Sequence, residues 1–132
     1  MASTGNYAST PRTGVVVIDT ANTARDGTGT LGTVLLAPAS GSRIDGLDIQ
    51  AVGTTTAGMV RLFVHNGTTA FLLTEIPVIA VTPGAAIPAW SVHLSTNSNP
   101  NFPIVLGSGF SLRASTNNAD AFNIITTQAG DF

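Results

Sequence analysis

Residues 60–71 read VRLFVHNGTTAF, and their pattern decides what kind of chain this is. Val60, Leu62 and Val64 alternate with Arg61, Phe63 and His65, so each set faces one side of an extended strand. Asn66-Gly67 then supplies residues that tolerate positive φ, and the apolar run resumes at Ala70, which predicts a β-hairpin. The alternation recurs in residues 46–52, GLDIQAV, where Leu47, Ile49 and Ala51 share a face. Outward from these two stretches, short runs rich in Val, Ile, Leu, Thr and Phe are split by Gly, Pro and Asn. They predict strands over 15–19, 33–37, 42–52, 59–66, 70–79, 90–94, 102–106, 109–115 and 122–128. A second hairpin is expected at Gly107-Ser108-Gly109. No segment carries a sustained 3.6-residue apolar stripe with caps, so helix is minor. Eight or nine short strands with turns at regular intervals predict an all-β sandwich, with the jelly roll the leading arrangement. Residues 1–14 are small, polar and without periodicity. They predict an extended N-terminal arm, with residues 15–132 as the sandwich domain.

Composition narrows the function. The chain has 132 residues and is 43% hydrophobic, enough for a real core, yet only 9% are charged, against roughly 25% in typical soluble proteins. The five basic residues are all Arg. Disordered chains have few β-branched residues and a high net charge, which is not the case here. A free enzyme generally needs a charged, patch-free surface. A neutral, hydroxyl-rich skin on a folded domain points instead to a surface that faces other protein. The net charge of −2 and the lack of a basic run leave no electrostatic footprint for nucleic acid. With no Cys there is no disulfide framework and no Cys-ligated metal. No apolar run approaches the roughly 18 residues of a membrane span, and MASTGNYASTPRTG lacks the apolar core of a signal peptide. Synthesis in the cytoplasm and no membrane partner are therefore expected.

Several motifs invite a chemical reading. Gly27, Gly29, Gly32 and Val34 spell G-x-G-x-x-G-x-V. A kinase needs a Lys, which this chain lacks, and a dinucleotide fold needs a helix where TVLLAP runs into Pro38 as a strand. A flexible connecting loop is expected there. His65 and His93 lie far apart, and Asp45, Asp48 and Asp120 do not complete a metal-ligand spacing with them. Asp19, Asn22 and Asp26 miss the calcium-loop pattern. Asn66-Gly67-Thr68 is a formal glycosylation sequon, but Asn-Gly is better explained by the turn. Without G-x-S-x-G or Cys there is no nucleophile motif, so no enzyme activity, cofactor or metal is expected. Trp90 reads as core packing or as an exposed aromatic anchor. Arg113 reads either as the partner of an acid such as Glu75 or Asp120 or as an interface contact.

Residues 99–132, NPNFPIVLGSGFSLRASTNNADAFNIITTQAGDF, resemble small virion structural proteins of tailed bacteriophages. Those chains often close on a strand hairpin of the form G-(Y/F/W)-SLRAST-N-A-(D/E)-(A/T)-F-N-I. The matching residues are Phe110, Ser111, Leu112, Arg113, Ala114, Ser115, Thr116, Asn117, Asp120, Phe122 and Asn123, and PGAAIPAWSVHL at 83–94 fits too. The resemblance implies a capsid decoration (cement) protein: a β-sandwich, commonly a homotrimer, on the exterior of an icosahedral head. It would bridge neighbouring capsomers of the major capsid protein without catalysis, cofactor or metal. The alternative is a tail- or fibre-associated virion protein, a β-sandwich that binds a receptor or glycan through aromatics near Trp90 and Tyr7. Candidate interface residues are Ala2, Tyr7, Pro11 and Arg12 in the arm, with Trp90, Arg113, Asn117 and Asn118.

Overall fold

The computed structural model describes residues 8–132, all of them in strands, turns and loops. Among these residues, ten strands form two antiparallel sheets. The strands are β1 (Thr10–Pro11), β2 (Val15–Ile18), β3 (Gly32–Leu36), β4 (Ser42–Ala51), β5 (Gly58–His65), β6 (Ala70–Val78), β7 (Ser91–Ser95), β8 (Ile104–Leu106), β9 (Ser111–Thr116) and β10 (Phe122–Asp131). In the first sheet β10 pairs with β4 on one side, and with β2 and β1 along its other side. The far side of β4 takes β7 and β8. The second sheet runs β3-β9-β5-β6.

The two sheets close on one core. Ile44, Leu47, Ile49, Phe122 and Ile124 of the first sheet and Val34, Val60, Leu62, Leu112 and Ala114 of the second are buried within it. Each Val, Leu, Ile or Phe side chain among them contributes about 1.5–3 kcal/mol relative to exposure. Ile44 and Leu47 are three apart, yet both are buried. An irregularity in the β4–β10 register at Gly46 makes this possible by resetting the alternation.

The predicted hairpin at Asn66-Gly67 is present. Asn66 N–H donates to Thr69 C=O at 3.1 Å, Gly67 has φ +97°, and β5 and β6 pair from His65↔Ala70 onward. The hairpin expected at Gly107-Ser108-Gly109 is not. A tight turn does form, with Gly109 at φ +75° and Phe110 N–H donating to Gly107 C=O, but β8 pairs with β4 while β9 lies between β3 and β5. Leu106 and Leu112 are both needed inside, on opposite walls of the core, so the chain changes sheets at this turn. The closing segment crosses over in the same way. β9 and β10 lie in different sheets, so the SLRAST and FNI stretches are not a hairpin.

The outer face of the second sheet is also covered. Arg61 and Phe63 point away from the core, yet they are 2% and 0% exposed. Residues 19–31 run over this face, and the segment expected to be a flexible connecting loop is cross-braced. Asn22 Nδ2 donates to Thr28 C=O and Thr30 C=O at 3.0 Å, and Asn22 N–H donates to Thr116 C=O at 2.8 Å. Arg25 Nε meets the Glu75 carboxylate at 3.0 Å. Gly27, at φ +87°, sits so close to β6 that a Cβ there would stand 2.5 Å from Ala70 C=O. Only glycine allows that approach.

Candidate functional site

The outer face of the first sheet carries an apolar row at its edge. β2 pairs only with β10, so its other side has no strand among the described residues. Val16 and Ile18 turn inward, while Val15 and Val17 turn out and are 63% and 59% exposed. Across the ladder they face Ile125 and Asn123, and the four residues line an open apolar groove. Farther across the sheet the outward side chains become polar: Asp48 and Gln50 on β4, and His93 on β7, whose Nδ1 meets the Asp48 carboxylate. The sheet edge thus joins an exposed apolar row to a polar flank.

Next to this row, residues 10–12 of the arm are clamped to the sandwich. Thr10 and Pro11 pair with Asp131 and Gly130, and Arg12 N–H donates to Ala129 C=O at 3.0 Å. The Arg12 guanidinium reaches both Asp131 oxygens at 3.1 Å and donates to Leu36 C=O at 2.9 Å. Ser42 Oγ donates to Asp131 Oδ1 at 2.6 Å. One carboxylate thus ties β1, β4 and β10 together, while the same guanidinium reaches β3. Arg12 is committed within the chain, and Pro11 is left exposed on the surface beside it.

The other candidate interface residues do not gather in one place. Ala2 and Tyr7 lie outside the described residues. Trp90 is partly buried against the core and meets Phe122 edge-on, with ring centroids 5.7 Å apart. Asn117 Oδ1 accepts from Arg61 at 3.2 Å, and Asn118 Nδ2 donates to Ala57 C=O at 3.1 Å. Both asparagines hold the end of β9 against the start of β5. Arg113 stands on the outer face of the second sheet, its Nε donating to Ser111 Oγ at 3.1 Å. Neither acid named for it pairs with it. Glu75 accepts from Arg25 and Arg61, and Asp120 accepts from the Thr56 N–H and hydroxyl. Among the described residues, no group of three His, Cys, Asp or Glu side chains could hold a metal ion.

Glu75 joins the covering segment to the sheet. The hydrogen bond from Arg25, with the charges of Arg25 and Arg61 added, holds its carboxyl below the usual 4.5 against an opposing effect of burial. A carboxyl depressed in the folded state stabilises fully above its unfolded value and loses that contribution as pH falls through the folded one. On acidification from roughly pH 6 to pH 3, the wild-type chain is therefore expected to lose more stability than Glu75→Gln. Equal losses in chemical denaturation series at each pH would contradict the role given to this carboxylate.

The apolar row was missed by sequence reading because Val15-Val16-Val17-Ile18 is uniformly apolar and hides which side chains face in. Neither a family model nor a curated protein matches the chain.

Proposed function

We propose that this chain is a virion structural protein of a tailed bacteriophage that binds the outside of the icosahedral head and cements neighbouring capsomers. The observation that carries the reading furthest is the row of Val15, Val17 and Ile125 on an unpaired sheet edge, beside the clamped residues 10–12. Such a row is costly to leave in water and is matched to another protein subunit. The resemblance of residues 99–132 to small phage virion proteins supplies the context. The strand order supports a jelly-roll reading: β2-β10-β4-β7 faces β3-β9-β5-β6, and the chain wraps repeatedly from one sheet to the other. Viral capsid domains use that arrangement.

The mechanism is linkage. A protein that binds only the assembled, expanded lattice stabilises that state by mass action. As a homo-oligomer, with a trimer favoured, it makes several contacts at once, and each contact after the first is effectively intramolecular. With few charges, the binding depends little on salt. The rival role, a tail or fibre protein reading a glycan through Trp90, draws less support because Trp90 is packed against Phe122. The test is to add the purified chain to expanded heads that lack it. Saturable binding that is similar at low and high salt is expected. Binding to tails but not heads would overturn the reading.

A further inference from the structure

We propose that a cleft on the outer face of the second sheet binds an acidic saccharide, a sugar ring carrying a carboxylate. The cleft has a volume of about 360 Å³ and lies between residues 26–31, the β5–β6 hairpin and Arg113. That places it at the lower end of the range for small-ligand sites. It brings together three features that sequence left apart: the glycine-rich segment, His65 and Arg113.

Arg113 is the first reason. Among the described residues Arg12, Arg25, Arg43 and Arg61 each hold a carboxylate, and Arg113 holds none. Its Nε is oriented by Ser111 Oγ, so the two terminal nitrogens remain as donors at the wall of the cleft. A planar guanidinium fork matches a carboxylate with two parallel hydrogen bonds. His65 adds a donor. Its Nδ1 accepts from Gly67 N–H at 3.0 Å, so a neutral ring carries its proton on Nε2.

Asp26 then decides against a simple anion site. Its Oδ1 accepts from the Thr28 N–H at 3.1 Å and the Thr28 hydroxyl at 2.6 Å, bonds that keep the carboxyl ionised. Its other oxygen is left as an acceptor. Arg113 and Asp26 carry opposite charges that offset each other across the cleft, which disfavours a multiply charged phosphate. No Phe, Tyr or Trp lines the cleft, so neither a nucleobase nor a sugar ring finds a broad stacking platform, and hydrogen bonds must carry recognition. What remains is a ligand with one carboxylate for Arg113 and several hydroxyls for Asp26, His65, Thr68 and Thr69. The inference holds whether the protein sits on a head or a tail.

The experiment is a two-dimensional amide NMR titration of the full chain with glucuronate, galacturonate and N-acetylneuraminate. Glucose, acetate and inorganic phosphate serve as controls. At least one acidic sugar is expected to shift the Gly27, Gly29 and Gly67 signals saturably, more tightly than every control. Arg113→Lys keeps the charge but loses the fork, and it should weaken that binding by about tenfold while leaving the rest of the spectrum unchanged. The proposal is overturned if no acidic sugar saturates in the millimolar range. Equal response to acetate, phosphate or glucose, or unchanged affinity in Arg113→Lys, would overturn it too.

Discussion

Phe63→Ala is expected to lower the unfolding free energy by about 4 kcal/mol, as much as removing a phenylalanine from the main core. By alternation alone Phe63 belongs on the side of the sheet away from Val60 and Leu62, where an exposed ring would cost little to remove. It is fully buried because residues 19–31 lie over that face, fixed by Asn22, by the Arg25–Glu75 pair and by the approach of Gly27 to Ala70. Truncation would leave a cavity that this braced segment can fill only by giving up those bonds. Phe71, 55% exposed on the edge strand of the same sheet, is the control, and its alanine variant should stay within about 0.5 kcal/mol of wild type. Equilibrium denaturation of both variants decides the matter. A loss at Phe63 no larger than that at Phe71 would mean the segment does not cover the sheet.

Val17→Asp is expected to weaken attachment to heads by at least about thirtyfold, the effect of removing one interface hot spot. Its folding stability should change by no more than about 1 kcal/mol, since Val17 is 59% exposed and faces away from the core. A carboxylate in the middle of the Val15, Val17 and Ile125 row would have to be desolvated against an apolar partner with no cation to meet it. Val105→Asp is the matched control. Val105 is of the same size and 62% exposed, but it lies on β8, beyond β4 from the row. Binding isotherms to stripped heads should separate the two variants, and equal behaviour would remove the row from the interface.

The strands themselves were legible because half-buried strands write their burial into the sequence with a period of two, as in Leu47, Ile49 and Ala51. Their partners were not. The Gly107-Ser108-Gly109 turn has the composition of a hairpin, and only the placement of Leu106 and Leu112 on opposite walls shows that it joins two sheets. The pairing of Thr10 and Pro11 with β10 has no periodicity to reveal it, since two residues make no pattern. Arg113 illustrates the limit for sites. The sequence offered Asp120 and Glu75 as partners, but Asp120 holds Thr56 and Glu75 holds Arg25 and Arg61, and neither pairs with Arg113. Asn117 and Asn118 looked like surface contacts because asparagine favours turns and interfaces alike. Their bonds to Arg61 and Ala57 give them a role within the fold that composition did not reveal.

The copy number of this chain in purified virions, measured by quantitative mass spectrometry against the major capsid protein, tests the central claim most directly. A ratio of the same order as the shell protein is predicted, because a cement protein must occupy sites repeated across the lattice. A few copies to a few tens per particle would place the chain at a tail or vertex, and its absence from virions would contradict the account altogether.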